Sequence, residues 1–439
     1  MYLLMIIAFV IGYFLIAMEH PFKIDKAASA ILTGVTCWII LILGEETIFA
    51  GNTIVAAHGD PAHFIEEALL THVGEIAEIL FFLIGAMTIV ELVDAHDGFK
   101  VVTDKITTTH KIKLLWIISI LTFFFSAVLD NLTTCIVMAA LLKNLIKEKE
   151  DLWFFGGLVI LAANAGGAWS PIGDVTTIML WIGGQITAFN IILKIFLPSI
   201  VCLLLPLIYI TFTKQGEIQR PTEAANTSEH DSHASTFEQA LVFWMGIGGL
   251  LFVPVFKNVT HLPPFMGMLF SLGILWITTE MLHRNKKPRE VDGLKVAAVI
   301  RRIDTPSILF FLGILLAVAS LQTAGQLEQL ALVMDQTFGN IYIINTLIGL
   351  LSAVVDNVPL VAGAMGMYSM DIYPQDHHFW ELLAYCAGTG GSALIIGSAA
   401  GVAMMGILKI DFIWYLKRIS FLALIGYFAG ILVYIFLTF

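Results

Sequence analysis

The chain has few charged residues for its length. Only 13% of its 439 residues are Asp, Glu, Lys or Arg, whereas 58% are hydrophobic. With a mean hydropathy of +0.88, it has several apolar runs that can cross a hydrocarbon core of about 30 Å, which takes about 20 helical residues each. The runs are continuous rather than alternating, which excludes a closed β-barrel. The composition predicts an all-α polytopic membrane protein.

Cysteines and the signatures of common enzymes are also scarce. The four cysteines lie in apolar segments, which favours buried thiols over disulfides or metal ligands. No His-Glu-x-x-His zinc motif and no Gly-x-x-x-x-Gly-Lys phosphate loop occurs. Pro171 replaces the first glycine of the Gly-x-Gly-Asp signature of intramembrane aspartyl proteases. We therefore expect neither an enzyme nor an ATP-driven pump, with no cofactor and no nucleic-acid partner.

Lys and Arg are absent from some connections, and this absence indicates orientation. The first short loop carries Lys23 and Lys26, whereas the connection over residues 45–72 contains no Lys or Arg. Basic short loops tend to remain cytoplasmic. The first run, residues 3–18, is interpreted as a span rather than a removable signal, with an external N-terminus. The third span is predicted over residues 77–93 and the last over residues 412–437.

Two hexapeptides, residues 126–131 and 352–357, share the pattern Ser-Ala-Val-x-Asp-Asn. Each places an Asp-Asn pair inside an apolar run, where a carboxylate costs about 2.5 to 3.5 kcal/mol. One buried Asp could be a structural peculiarity, but the same pattern half a chain away makes that interpretation weak. We interpret the two motifs as the two halves of one ion site.

The charges that flank these motifs predict re-entrant hairpins. The run 114–142 has lysines on both sides, so it enters and returns from the cytoplasm, with Asp130 and Asn131 near its tip. The run 341–368 has no Lys or Arg near either end, because none occurs between Arg302 and Lys409. It should enter from outside.

Two further apolar stretches are interrupted by glycines and oxygen-bearing side chains, which indicates broken helices. The first interruption covers residues 164–174 and the second residues 388–398, with Gly390-Gly391 matching Gly166-Gly167. Unwound carbonyls and half-helix ends can coordinate a cation, although the glycines could instead serve only close helix packing. Asp174 has no carboxylate counterpart, because Ser398 stands there.

These features divide the chain into similar halves. The first repeat is predicted over residues 1–213, a cytoplasmic linker over 214–236 and a second repeat over 237–439. The linker contains His230 and His233, which we interpret as solvated loop residues rather than a metal site. Each half has about five crossings and one hairpin, so the second half points the opposite way. This is the inverted-repeat plan of secondary transporters.

The two Asp-Asn motifs, together with the stretch Asn-Ala-Gly-Gly-Ala-Trp-Ser-Pro-Ile-Gly-Asp-Val-Thr-Thr over residues 164–177, resemble the NhaD-type sodium/proton antiporters of the ion transporter superfamily. The resemblance covers nearly the whole chain. It implies a multi-pass protein of the bacterial inner membrane, often dimeric, with a scaffold and an elevator-like transport domain in contact with lipid. Such a protein exchanges cytoplasmic Na⁺ or Li⁺ for external protons.

The resemblance also assigns transport to a set of residues: Asp130, Asn131, Asn164, Asp174, Thr176, Thr177, Ser352, Asp356 and Asn357. Members of the superfamily that move dicarboxylates have Ser-Asn-Thr at the hairpin tips, so Asp-Asn here argues for a cation. The second broken helix adds three hydroxyl side chains, those of Thr389, Ser392 and Ser398. Glu75 and Glu78 are candidates for proton access, or else solvated charges at a helix end.

The chemistry of the residues favours the same substrate. Na⁺ prefers hard oxygen ligands, and no cluster of soft or nitrogen ligands lies near the motifs. Desolvation favours a protonated carboxyl group whereas a bound cation favours the ionised form, so H⁺ and Na⁺ compete. We expect Asp130 and Asp174 to be the competing carboxylates and Asp356 to complete the site. An anion or metalloid transporter on the same scaffold, for a dicarboxylate or arsenite, remains the alternative.

Overall fold

A computed structural model describes residues 1–49, 60–214, 216–219, 234–284, 286–287, 291 and 293–438. Regular secondary structure within these ranges is helical, apart from one isolated β-bridge between His110 and Glu217. The predicted all-α class is therefore confirmed. Most of the predicted linker, including His230 and His233, lies outside the described residues.

The helices of the first half are α1 (Tyr2–Ala17), α2 (Lys26–Leu43), α3 (Pro61–Ala95), α4 (Lys111–Leu129), α5 (Asn131–Leu145), α6 (Lys149–Ala168), α7 (Val175–Ile182) and α8 (Ala188–Thr213). Those of the second half are α9 (Thr236–Thr260), α10 (Pro264–His283), α11 (Thr305–Thr323), α12 (Gln326–Phe338), α13 (Ile341–Leu351), α14 (Asn357–Met367), α15 (His378–Gly390), α16 (Ala399–Leu408), α17 (Phe412–Arg418) and α18 (Ser420–Thr438). Single turns occupy Glu19–Phe22, Glu45–Ile48, Lys100–Thr103, Val296–Val299, Ile300–Arg302 and Gly391–Ala393.

The lengths of these helices match a membrane protein. In the described part of the chain, nine helices are long and apolar enough to cross a bilayer: α2, α3, α4, α6, α8, α9, α10, α11 and α18. Shorter apolar helices include α1, α5, α13 and α14. The protein is a multi-pass membrane protein, as the composition predicts.

The third span is longer than predicted. Helix α3 runs for 35 residues, so the prediction of a connection up to residue 72 is wrong for residues 61–72. Asp60 accepts a hydrogen bond from the backbone N–H of Ala62 at 3.2 Å, and Pro61 occupies the first helical position. Both are helix-starting features, and they extend α3 beyond its apolar part.

The predicted last span over residues 412–437 is wrong at its start. Residues 412–418 form the separate helix α17, whose axis meets that of α16 at 116°. Asp411 begins α17 by accepting a hydrogen bond from the N–H of Trp414 at 2.8 Å. The span proper is α18, which begins at Ser420, because the charged end of α17 with Lys417 and Arg418 is poorly suited to hydrocarbon.

Sixteen of the eighteen named helices pack as two groups; α12 and α17 lie outside them. The first, here the six-helix group, consists of α1, α2, α3, α9, α10 and α11. Its most extensive contact is between α2 and α11, where the indole N–H of Trp38 donates to the carbonyl of Leu316 at 2.9 Å. Because each half of the chain contributes three helices, the group combines the matching spans of both halves.

The second, here the ten-helix group, consists of α4, α5, α6, α7, α8, α13, α14, α15, α16 and α18. Its principal pairs are α8 with α18, α4 with α6, α13 with α15, and α5 with α16. It therefore contains both Asp-Asn motifs and both interrupted helices.

The bundle has two chemically different ends. At the basic end, Lys111 pairs with Asp151, and Arg302 lies 4.0 Å from Glu91 near the end of α3. At the opposite end, the backbone N–H of Thr187 donates to Asp376 at 2.6 Å. The candidate site lies between these ends, where helices break.

Candidate ion-binding site

The chain reverses at Asp130, between α4 and α5. Asp130 has a φ of 81° and a ψ of 162°, a backbone conformation that is strained for a residue with a Cβ atom. Its carboxylate accepts hydrogen bonds from the N–H of Thr133 at 2.7 Å and from the hydroxyl of Thr133 at 2.9 Å. These local bonds stabilise the turn and begin α5.

Serines at equivalent positions attach each helix pair to an interrupted helix. The hydroxyl of Ser126 donates to the carbonyl of Ala163 at 2.5 Å. The hydroxyl of Ser352 donates to the carbonyls of Gly349 at 2.8 Å and Ala387 at 3.3 Å. The first residue of each repeated hexapeptide therefore serves packing.

Gly166 and Gly390 permit the same close approach in the two halves. A Cβ atom on Gly166 would lie 2.1 Å from the carbonyl oxygen of Phe123, and one on Gly390 would lie 1.9 Å from that of Gly349. Only glycine allows the backbones to approach so closely. These glycines therefore permit close packing of the helices in both halves.

The half-helices that begin in the site share one design, because each has an oxygen-bearing side chain at its N-cap. In each case the side-chain oxygen of the cap accepts a hydrogen bond from a backbone N–H of the first turn. The pairs are Asp130 with the N–H of Thr133 (2.7 Å), Asp174 with that of Thr176 (2.8 Å), Asp356 with that of Val358 (3.2 Å) and Ser398 with that of Gly401 (3.1 Å). A helix N-terminus carries partial positive charge and stabilises an anion within its first turn. Three carboxylates can therefore lie deep in the bundle.

Asp174 is the centre of the site, with 1% of its surface exposed. Its carboxylate accepts hydrogen bonds from Asn131 Nδ2 at 2.5 Å, Thr176 Oγ1 at 2.6 Å and Asn357 Nδ2 at 3.4 Å. All these donors are neutral. In the described part of the chain, no Lys, Arg or His forms an ion pair with Asp174. Its charge is thus left for a mobile cation or a proton.

Asn164, which is fully buried, extends this network to the second half. Its Oδ1 accepts from Asn131 Nδ2 at 3.1 Å, while its Nδ2 donates to Ser392 Oγ at 2.9 Å and Ser398 Oγ at 3.0 Å. The connected residues form what we call the Asp174 cluster: Asn131, Asn164, Asp174, Thr176, Asn357, Ser392 and Ser398. It joins both helix pairs and both interrupted helices.

The remaining predicted residues of the hairpins and broken helices lie around the cluster. The hydroxyls of Thr177 and Thr389 donate to the carbonyls of Asp174 at 2.8 Å and Tyr385 at 2.6 Å. Asp130 and Asp356 each lie close enough to Asp174 for electrostatic repulsion. Neither hydrogen-bonds to it, so Asp130 and Asp174 are near neighbours rather than a paired dyad.

Two contacts of the site escaped the sequence analysis. The hydroxyl of Thr133 donates a hydrogen bond to the carboxylate of Asp130. Thr133 lies three residues after the N-cap Asp130, and this spacing could have indicated the contact. Lys26 Nζ lies 3.4 Å from Asp356 Oδ2, across 330 residues of sequence. No sequence pattern predicts contact between these two residues. In the sequence, Lys26 serves only as a basic loop residue that indicates the orientation of the chain in the membrane.

Glu75 and Glu78 lie apart from the Asp174 cluster. They line a cavity of about 380 Å³ between the two helix groups, toward the opposite end, together with His72, Gln185 and Gln322. Glu75 Oε2 lies 3.1 Å from His72 Nδ1. The two glutamates therefore line a separate cavity and are not part of the Asp174 cluster.

Smaller cavities approach from the basic end. One of about 70 Å³ is lined by Lys26, Asp356 and Ser398, and one of about 230 Å³ by Glu19, Lys26 and Asp25. They share Glu19, Lys26, Ala399 and Val402, so they adjoin each other. The two adjoining cavities therefore extend from the basic end to Asp356.

A multi-pass fold with a buried, oxygen-rich site at interrupted helices defines the class of secondary transporters. A family model described as "Citrate transporter" matches residues 13–381. Sodium/proton antiporter 1 of Arabidopsis thaliana is 46% identical over 434 residues, covering 98% of this chain and 72% of that protein. The chain belongs to this transporter family, and its relatives include proteins named as sodium/proton antiporters.

Two further relatives carry related names. Sodium/proton antiporter 2 of Arabidopsis thaliana is 44% identical over 432 residues, covering 98% of both chains. The Na(+)/H(+) antiporter NhaD of Alkalimonas amylolytica is 28% identical over 459 residues, covering 98% of this chain and 89% of its own. All three are named as transporters rather than enzymes, in line with the predicted class.

Proposed function

We propose that this protein is a secondary active antiporter that expels Na⁺ or Li⁺ from the cytoplasm in exchange for protons. The observation that carries the proposal is the buried Asp174 carboxylate, which among the described residues accepts hydrogen bonds from neutral donors alone. A buried carboxylate without a fixed counter-charge requires a proton or a cation. The names of the relatives support the same exchange.

The exchange follows from competition at one carboxylate. When Asp174 is protonated, its neutral form suits the dry surroundings; when Na⁺ binds, the carboxylate becomes its counter-charge. The two states exclude each other, so one site that is exposed alternately to the two sides couples the two fluxes. The carboxylate of Asp130 adds negative charge near Asp174 and therefore favours binding of either cation, H⁺ or Na⁺.

The surrounding side chains suit a dehydrated alkali cation. The Asp174 cluster offers carboxylate, amide and hydroxyl oxygens, which are hard ligands of the kind Na⁺ prefers. Rotation of the Asn131 or Asn357 amide would exchange an N–H donor for an oxygen ligand when the cation arrives. The network can therefore hold a proton-bearing carboxyl group or a cation with little backbone change.

The division into two helix groups suggests which part of the protein moves during transport. We assign the six-helix group as the scaffold and the ten-helix group, which contains the site, as the elevator-like transport domain. Cavities approach the junction of the groups from both ends, which supports movement there. The inverted repeat and two re-entrant hairpins are part of this proposal, and the equivalent contacts of Ser126 and Ser352 support them.

The basic end is assigned to the cytoplasm, because short loops rich in Lys and Arg tend to stay there. The bacterial inner membrane is the proposed location, supported by the bacterial NhaD relative, although the Arabidopsis relatives extend the family to plants. A homodimer in contact with lipid is proposed from the resemblance.

A carrier for an anion such as a dicarboxylate, or for arsenite, is the second candidate, because the family description names citrate. An anion site needs cationic or N–H donors that face the ligand. Here Asp130 and Asp356 both lie near Asp174, and Lys26 is already paired with Asp356. The charge of the site therefore favours a cation.

The test uses inside-out vesicles that are energised by respiration and loaded with a pH-sensitive dye. We expect dequenching on addition of NaCl or LiCl but not KCl, and its loss in Asp174→Asn protein made at normal levels. Asp411→Asn is the matched control, because this exposed residue is also a helix N-cap, where Asn replaces Asp well. No cation response between about pH 6 and 9, a range that brackets ordinary carboxyl and imidazole titration, together with citrate or arsenite transport, would overturn the proposal.

A further inference from the structure

We propose that Lys26 is a tethered counter-cation for Asp356 that an incoming Na⁺ must displace from the transport site. This inference rests on the proposed function and adds a residue to it. Lys26 belongs to the six-helix group and Asp356 to the ten-helix group, so their contact crosses the junction between the two.

The ammonium group of Lys26 is well positioned for this role. Its Nζ lies 3.4 Å from Asp356 Oδ2, with 24% and 17% of the two side chains exposed. It also lies 4.5 Å from the centre of the Phe310 ring, on α11. Lys26 is the first residue of α2, which packs closely on α11. A cation is therefore held at the junction by an anion on one side and an aromatic face on the other.

Lys26 also lies on the route from the basic end. It lines both cavities on that side, whereas Asp356 and Ser398 line only the inner one. Because Asn357 contacts Asp174 directly at 3.4 Å, a cation that passes Lys26 is one residue away from the Asp174 cluster. A Na⁺ arriving by this route encounters the Lys26–Asp356 pair first.

The alternative partners of Lys26 make displacement feasible. Glu19 and Asp25 line the outer cavity beside it, and the Phe310 face remains available when Asp356 is lost. A long, flexible lysine can withdraw toward these groups while Na⁺ takes its place. When Na⁺ leaves, the ammonium returns and neutralises Asp356, so Asp356 is not left unpaired.

Removal of this internal cation should tighten Na⁺ binding and slow its release. In Lys26→Met, Asp356 is left unpaired, so we expect the KM for Na⁺ to fall at least about threefold, because an uncompensated, partly buried charge attracts a cation strongly. The maximal rate should fall in the same variant. Lys26→Arg retains the charge and should keep a KM near that of the unchanged protein.

The experiment measures Na⁺-driven proton exchange in proteoliposomes of the full chain over a range of Na⁺ concentrations. Lys23→Gln is the control, because it removes an exposed positive charge three residues away. Lys26→Gln provides a second neutral variant in case Lys26→Met folds poorly. A lower KM in both neutral variants, rescued by arginine, supports the inference.

Other outcomes overturn it. An unchanged or raised KM with a lower rate would mean that Lys26 only stabilises the junction. Equal effects of Lys23→Gln and Lys26→Met would mean that Lys26 contributes only general surface charge. Absence of Na⁺-driven exchange in the unchanged protein would overturn the proposed function itself, whereas robust exchange with insensitive Lys26 variants would overturn only this inference.

Discussion

The turns at the two Asp-Asn motifs, here called the two tips, have nearly the same sequence, but their aspartates have different partners. Asp130 is held by the N–H and hydroxyl of Thr133, three residues later, whereas the equivalent position after Asp356 is Pro359. Proline has no N–H and no hydroxyl. Asp356 therefore accepts only from the N–H of Val358 locally, which leaves Oδ2 for Lys26. A single difference next to a repeated motif changes which domain the carboxylate contacts.

The interrupted helices differ in a related way. Asp174 and Ser398 cap equivalent half-helices, but only Asp174 brings a charge. The neutral donors of Asn131 and Asn357 contact Asp174, whereas Ser398 accepts from Asn164. The two interrupted helices therefore share a capping position, but only the first carries a carboxylate there.

Exchange of the two caps should have the largest effect. We expect Asp174→Ser to abolish Na⁺-driven dequenching in vesicles, because the cluster loses its only carboxylate. The double variant Asp174→Ser/Ser398→Asp should remain inactive, since the Asn131 and Asn357 amides are positioned around residue 174. Recovery of transport in the double variant would show that the two caps are interchangeable and would remove the asymmetry.

The packing glycines should behave alike in the two halves. Gly166→Ala and Gly390→Ala each place a methyl group against a backbone carbonyl, an overpacking that costs about 1 to 3 kcal/mol or more. We expect similar drops in Tm of the purified protein in detergent. Gly74→Ala is the control, because nothing lies within 4 Å of the added Cβ. A large drop for one glycine alone would contradict the equivalence of the two halves.

The tip comparison can be sharpened through Pro359. Pro359→Thr should give Asp356 a local partner like that of Asp130 and weaken its contact with Lys26. Lys26→Met should then lower the KM for Na⁺ less in the Pro359→Thr background than in the unchanged protein. If Lys26→Met lowers the KM for Na⁺ equally with and without Pro359→Thr, a local donor at residue 359 does not determine whether Asp356 pairs with Lys26.

Thr133→Val tests the other tip with a smaller change. It removes one hydroxyl hydrogen bond but keeps the backbone N–H, so we expect a loss of stability of about 1 kcal/mol. The KM for Na⁺ should change modestly, because Asp130 keeps its place as the cap of α5. Complete loss of transport at normal expression would assign Thr133 to the site itself.

Glu78→Gln and Glu75→Gln should have the smallest effects. Glu78 lines the cavity at the opposite end and has no hydrogen bond to the Asp174 cluster. We expect a lower exchange rate with an unchanged KM for Na⁺, and a weaker effect still for the more exposed Glu75→Gln. Loss of activity as severe as that of Asp174→Ser would place Glu78 in the central site.

Much of the fold follows from local sequence. The apolar runs predict the spans, and the Asp-Asn and Gly-Gly motifs predict where helices break, because capping and helix interruption depend on neighbouring residues. Hydropathy does not predict the start of α3 at Pro61, which the cap Asp60 marks. Nor does it predict the separation of α17 from α18, although the charges of Lys417 and Arg418 interrupt the apolar run there.

The sequence alone determined the membrane class, the repeated motifs and the polar caps at the broken helices, since each depends on composition or on contacts within a few residues. Only the tertiary structure decided that Asp174 lies at the centre of the hydrogen-bond network and that Asn164 links this network to Ser392 and Ser398. It also decided that Lys26 contacts Asp356. Those contacts join residues from separate helices, so they depend on how whole helix surfaces pack together. Periodicity along the chain does not encode that packing.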